Sequence, residues 1–115
     1  MTPLEAIVKF NKDRHLTEYT PSAEYKMLLE ELEEYLTAVI DNDKYEQVNA
    51  LTDIIVVATG ALHKMGYDPT KALHETVTEI MSRKGKFNKT TGKWEKDKKQ
   101  SKDTLYTPDY DKCRY

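Results

Sequence analysis

Apolar residues recur at the three-to-four spacing of a helix through the first 83 positions, and then the rhythm stops. Leu4, Ile7, Val8 and Phe10 give one greasy side to a segment that Thr2 caps and Pro3 opens, which predicts a short helix to about Arg14. After a loop over 15–20, Pro21-Ser22 starts a second helix, with Ser22 as its expected cap and Ile40 near its end. Its apolar stripe is Leu28, Leu32, Tyr35, Leu36 and Val39. Asp41-Asn42-Asp43 reads as a turn. A third helix is predicted from about Lys44 to Met65, and its run from Thr52 to Leu62 is apolar nearly all round, the pattern of a central buried helix. The β-branched residues of that run would also suit a strand, but its length and uninterrupted lead-in favour helix. Gly66 stops it. Asp68-Pro69 then opens a fourth helix, with Leu73, Val77, Ile80 and Met81 on one side, that ends near Arg83-Lys84-Gly85.

Beyond Gly85 the pattern changes to a short hairpin, with turn residues between Phe87 and Trp94, and then to a polar arm with scattered tyrosines, Tyr106, Tyr110 and Tyr115. Trp94 is expected to pack the hairpin, and Tyr106 and Tyr110 to anchor the arm on a neighbouring subunit. His15, His63 and His74 share no spacing and are expected at the surface or at helix ends. The predicted fold is all-α, a four-helix domain over residues 1–85 followed by a hairpin and extended arm over 86–115.

Composition adds a reason to expect more than one copy. Hydrophobic residues make up 38% of the 115 positions and charged residues 33%, a lean supply for a monomer with its own core. The net charge of −2 hides an asymmetry: residues 1–83 carry 8 Lys/Arg against 15 Asp/Glu, and residues 84–115 carry 10 against 5. An acidic body argues against a general nucleic-acid binder, and a basic tail could grip an anionic ligand, its own body or a partner subunit. The single cysteine, Cys113, excludes an intrachain disulfide and fits a reducing compartment. No apolar run approaches a membrane span and the N-terminus lacks a signal-peptide pattern, so a cytoplasmic protein with no membrane partner is expected.

The candidate chemistry lies in Glu30-Glu31-Leu32-Glu33-Glu34 on the second helix. Its pairs at i,i+3 and i,i+4 repel by roughly 0.2–0.5 kcal/mol each, tolerable on a solvated face. Glu31 and Glu34, however, lie beside the apolar stripe, in line with Met27 and Ala38, while Glu30 and Glu33 point further round. Asp53 sits inside the most apolar run of the chain and, if charged and buried, needs a partner. It could pair with Lys64 or Arg83, be protonated, or face Glu31 and Glu34 across an antiparallel helix pair and share a divalent cation. Oxygen ligands without histidine favour Mg²⁺ or Mn²⁺ over zinc.

The acidic stretch, followed by Asn49-Ala50-Leu51-Thr52-Asp53-Ile54-Ile55-Val56-Val57, resembles the paired acidic helices of the MazG-like all-α nucleoside triphosphate pyrophosphohydrolases, with their E-E-x-x-E and E-x-x-D motifs. That superfamily includes MazG, the dimeric dUTPases and phosphoribosyl-ATP pyrophosphohydrolase. The run from Gly60 to Pro69, then Met81-Ser82-Arg83, Gly85-Lys86-Phe87 and Thr91-Gly92-Lys93-Trp94, is similar to the connection and ending of the phage-type branch. The resemblance implies a helical bundle completed as a homodimer or homotetramer. It also implies Mg²⁺-dependent hydrolysis of a (d)NTP to monophosphate and pyrophosphate by attack on the α-phosphorus, in nucleotide-pool control. Glu31, Glu34 and Asp53 would hold the metal with Asn49 as an auxiliary ligand, and Glu30 or Glu34 would orient or deprotonate the attacking water. Arg83 and Lys86 would contact phosphates, and Phe10 with Asn11 a nucleobase, although Phe10 also suits a plain core position. The phage-type likeness implies a viral enzyme working in the host cytoplasm. The departure from the pattern is Ala50, where E-x-x-D has Glu; Glu46 or Glu30 could substitute. Ala50 therefore keeps open a non-catalytic nucleotide sensor or interaction protein, beside dUTPase-like and phosphoribosyl-ATP substrates.

Overall fold

A proline set directly after a capping residue starts three of the four helices, because its fixed φ suits the first turn and its missing N–H is not needed there. In the computed structural model, which describes all residues from Met1 to Tyr115, these are α1 (Pro3–Asp13), α2 (Pro21–Ile40) and α4 (Pro69–Ser82). The remaining helix, α3 (Lys44–Lys64), is capped by Asp43, whose side chain accepts from the Glu46 N–H. The cap of α2 is Thr20, not Ser22, since Pro21 takes the first helical position and pushes Ser22 inside. Gly66 ends the α3–α4 connection's first turn with φ +91°, a conformation that only glycine adopts without strain. Strands β1 (Gly85–Asn88) and β2 (Lys93–Lys96) form an antiparallel hairpin that sets Phe87 opposite Trp94. No helix is long and apolar enough to cross a membrane.

Helices α2 and α3 run antiparallel, joined by the turn at 41–43, and make the main packing of the molecule. The face of α2 turned to α3 follows 24, 28, 31, 35 and 38, a seven-residue repeat. Glu24 and Ala38 are buried on it, and Leu28, Glu31 and Tyr35 are half-buried. On α3 the matching residues are Ala50, Asp53, Val57, Gly60 and Lys64, all buried or half-buried. Small residues, Ala38 and Ala50, let the backbones approach near the turn, and polar residues fill the rest of the seam.

The rest of the apolar stripe of α2 is open: Leu32, Leu36 and Val39 are 52%, 58% and 43% exposed. Likewise α3 is not buried all round, since Val48, Leu51, Ile55 and Val56 lie at the surface. On α4, Leu73, Val77, Ile80 and Met81 are also exposed. The radius of gyration is 17.4 Å, against roughly 13 Å for a compact chain of this length.

The C-terminal arm packs on its own chain, contrary to the expected docking on a neighbour. The Tyr106 hydroxyl and the Asp109 N–H (2.9 Å) both donate to Glu75 Oε1 on α4, and Lys112 Nζ lies 3.2 Å from Glu75 Oε2. Tyr110 Oη is 2.8 Å from Thr76 Oγ1, and the Tyr115 N–H donates to Gly66 O at 3.0 Å. Cys113 is fully buried and free, and burial pushes its thiol pKa up. Hydrogen bonds from Tyr106 and Asp109, with Lys112 beside them, lower the Glu75 pKa to about 2. A carboxylate whose folded pKa is depressed stabilises the folded form above its ordinary pKa, and that contribution disappears as pH falls through the folded value. The arm is thus expected to stay docked through pH 4 and to lose this anchor only near pH 2. Glu75→Gln should release it at neutral pH, read as faster proteolytic cleavage after Lys112 or Arg114; cleavage as slow as in wild type would contradict the anchor.

Candidate metal centre

Helical spacing puts Glu31 and Glu34 on adjacent turns of α2, and the antiparallel pairing brings Asp53 of α3 opposite them. One carboxylate oxygen from each of the three lies within 4.8 Å of the others. The cations that might have neutralised Asp53 are engaged elsewhere: Lys64 Nζ is 2.7 Å from Glu24, and Arg83 is paired with Glu79 at 2.9 Å. Asp53 is half-buried in the seam, Glu31 likewise, and Glu34 is exposed at its mouth.

The electrostatics of the trio are unfavourable as they stand. Burial raises the Glu31 pKa first, then its contact with Glu34 and repulsion from Glu34, Asp53 and Glu30. Glu31 Oε2 is buried without a hydrogen-bond partner. Such an orphaned acceptor costs roughly 1–3 kcal/mol. Three converging carboxylate oxygens with an unsatisfied buried atom are the donor set of a hard divalent cation, and the residues fit one. Beside them Glu30, Glu33, Glu34, Asp41, Asp43 and Glu46 line an open acidic groove of about 430 Å³. Glu34 belongs to both features. Glu30 and Glu46 thus share the groove but stand outside the trio.

The other sequence-predicted residues are distributed more widely. Asn49 is exposed, and it enters the hydrogen bonds of α3 through its backbone carbonyl, which accepts from Thr52 Oγ1 at 2.9 Å. Arg83 and Lys86 are exposed and line neither the groove nor the trio of their own chain. Phe10 is half-exposed under the Arg14 guanidinium, 3.8 Å from the ring centroid, and is not a core residue. Asn11 is the buried neighbour, donating through Nδ2 to Gly60 O at 3.3 Å. Both line an apolar cavity between α1, α2 and α3.

Ala50 is 2% exposed, one turn before Asp53 on α3. A glutamate there would enter the seam and add a fourth carboxylate beside the trio. Ala50→Glu is therefore expected to lower metal-free stability, by about 1–3 kcal/mol from overpacking and buried charge. It should also enlarge the rise in melting temperature on adding Mg²⁺. An unchanged metal response would remove position 50 from the site.

Two features escaped the sequence. Glu24 and Lys64 form a buried ion pair across the seam, with Glu24 Oε2 left without a partner. The signal was weak: Glu24 falls seven residues before Glu31, on the same helical face. His63 stands in the last turn of α3, at a helix end as expected, but it is buried, edge-on to Tyr115 with ring centroids 5.6 Å apart, and burial followed by repulsion from Lys12 lowers its pKa.

The family model described as phosphoribosyl-ATP pyrophosphohydrolase matches residues 6–79. That span takes in most of α1, all of α2 and α3 and most of α4, and so every member of the acidic trio, while the hairpin and arm lie beyond it. No curated protein and no solved structure matches the chain.

Proposed function

Because the chain belongs to the phosphoribosyl-ATP pyrophosphohydrolase family, and so to the MazG-like all-α pyrophosphohydrolases, we propose that it cleaves the α–β anhydride of a (d)NTP. The products are the monophosphate and pyrophosphate. The observation that supports this most is the convergence of Glu31, Glu34 and Asp53 with one buried carboxylate oxygen unsatisfied.

In this reading the trio holds Mg²⁺, or Mn²⁺, which when bound neutralises phosphate oxygens and acidifies a water. The protein's own part is to fix the geometry. Asp53 and Glu31 are held by the helix seam, so their oxygens converge before any ligand arrives. Glu34, exposed at the mouth, is free to take a proton from the attacking water, with Glu30 in the adjoining groove as the alternative base. Asn49, one helical turn before Asp53, serves as the auxiliary ligand. Arg83 and Lys86 contact phosphates from a second copy, since neither lines the acidic groove of its own chain.

The exposed apolar faces of α2, α3 and α4 support that second copy. Exposed apolar surface on this scale marks an interaction surface, and a homodimer or homotetramer would bury it. A second substrate reading, phosphoribosyl-ATP, is favoured by the description of the matching family and uses the same bond cleavage. Incubating the protein with each NTP, each dNTP and phosphoribosyl-ATP, with Mg²⁺, Mn²⁺ or chelator, separates the readings. Metal-dependent monophosphate and pyrophosphate from a (d)NTP is the expected result. Phosphoribosyl-ATP as the sole substrate would replace the first reading with the second. No turnover on any of them would overturn both and leave a nucleotide-binding role.

A further inference from the structure

The cavity between α1, α2 and α3 has a volume of about 350 Å³ and is lined mainly by apolar residues, among them Phe10, Met27 and Val57. Met27 is one helical turn before Glu31, and Val57 one turn after Asp53. At its polar end stand Asn11, Glu24 and Lys64. Glu24 is 5% exposed, and of its two oxygens Oε1 accepts from Lys64 at 2.7 Å while Oε2 is buried with no partner. Asn11 is also 5% exposed, but its amide nitrogen is committed to the Gly60 carbonyl, and its side chain covers the position a Cβ at Gly60 would take. The cavity thus offers an apolar slot, one unsatisfied anionic acceptor, and a cationic donor directly beside it.

We propose that Glu24, held by Lys64, makes this cavity selective for a nucleobase whose Watson–Crick edge sets an exocyclic amine beside a ring-nitrogen acceptor, as cytosine and adenine do and guanine does not. The inference deepens the nucleotide reading above and rests on it for where the phosphates lie. The edge of cytosine or adenine places an amine, a donor only, next to a ring nitrogen, an acceptor only. The amine satisfies Glu24 Oε2, and the ring nitrogen accepts from Lys64, which has N–H groups beyond the one given to Oε1. Uracil and thymine present a carbonyl oxygen where the amine stands, and that oxygen would face the carboxylate. A buried site built to receive a donor rejects an analogue lacking it far more strongly than an apolar slot rejects a change of size. Phe10, half-exposed on the cavity rim, supplies a face for stacking. From Glu31 to Glu24 is seven residues of helix, about 10 Å of rise, a span that a nucleotide lying along the seam bridges.

The test uses nucleosides, so that it depends neither on the metal nor on catalysis. The full-length protein, without metal, is titrated with cytidine, uridine and the riboside of 2-pyrimidinone, which is cytidine with its amine replaced by hydrogen. Binding is followed through the backbone amide signals of Asn11 and Gly60. Cytidine is expected to bind about tenfold or more tightly than either of the others. In Glu24→Gln, checked for folding by its melting curve, the preference should fall to about twofold or less. Equal affinities, a preference for uridine, no binding of any nucleoside, or an unchanged preference in folded Glu24→Gln would each overturn the proposal. Should the variant not fold, the 2-pyrimidinone riboside decides alone: affinity equal to that of cytidine overturns it. Metal-dependent hydrolysis of all nucleotides alike, with equal nucleoside affinities, would sink the base pocket and leave the pyrophosphohydrolase reading standing. Cytidine selectivity in a protein that cleaves no nucleotide would do the reverse.

Discussion

Replacing Glu31 by glutamine should make the metal-free protein more stable at pH 7 while removing its metal-dependent activity. The sign follows from the direction of the pKa. Glu31 titrates above its ordinary value in the folded chain because it is partly buried and faces Glu34, Asp53 and Glu30. Between its unfolded and folded pKa values the folded state binds more protons, so stability falls as pH rises through that window. Above it the charged carboxylate is a net cost. Glutamine removes the charge, keeps the shape, and can donate to a neighbouring carboxylate. Relief of the like-charge contacts is worth about 0.5–1 kcal/mol, which corresponds to a few degrees in melting temperature for a domain of this size. Wild type should lose part of this disadvantage as pH drops toward the carboxylate range, whereas Glu31→Gln should not. With Mg²⁺ the order reverses: wild type gains stability by binding linkage, and the variant gains little. Turnover should fall by about a hundredfold or more, the scale seen when a preorganised charge-stabilising group is lost. Asp53→Asn should behave the same way. A variant that is destabilised without metal but fully active would mean that Glu31 is a packing residue.

Introducing a charge on the open α2 stripe should break the proposed homo-oligomer. Leu36 is 58% exposed in the single chain and lies one turn from Leu32 and Val39 or Ile40 on the same face. Burying a leucine contributes about 1.5–3 kcal/mol, and a two-fold interface contains the residue twice. Leu36→Glu is therefore expected to cost roughly 4 kcal/mol of association, about a thousandfold in the dissociation constant. Light scattering should report a mass near the 13.4 kDa of one chain at concentrations where wild type is a multiple of it. Its melting temperature should no longer rise with protein concentration. A wild-type protein that is itself monomeric would contradict the proposed oligomer and leave these apolar faces unexplained.

How much of this was legible in the sequence depends on which forces act locally. Helix ends were readable because Pro3, Asp43, Gly66 and Pro69 act through their own backbone geometry. Ser22 was mistaken for a cap because the rule that proline occupies the first turn outranks the preference of serine for the position before it. Spacing put Glu31 and Glu34 on one face but left three outcomes open for Asp53, and it was the family resemblance that singled out its meeting with them. The packing of α2 was legible only in part. Of its apolar stripe, Leu28 and Tyr35 enter the seam with Glu24, Glu31 and Ala38, whereas Leu32, Leu36 and Val39 face outward. Hydrophobic periodicity shows that a face is buried somewhere, not whether the same chain buries it. Pairings forty or thirty-four residues apart, Glu24 with Lys64 and Glu75 with Asp109, leave no local trace at all. Glu75 is buried because the arm, distant in sequence, packs over it.

The central claim, that the acidic trio directs water to the α-phosphorus, is tested most directly by hydrolysis of a nucleoside triphosphate in ¹⁸O-labelled water with Mg²⁺. Mass analysis then shows which product carries the label. The account predicts label in the monophosphate, none in pyrophosphate, and no incorporation with chelator or in Glu31→Gln. Label in pyrophosphate or orthophosphate, or incorporation that survives both chelator and Glu31→Gln, would contradict it.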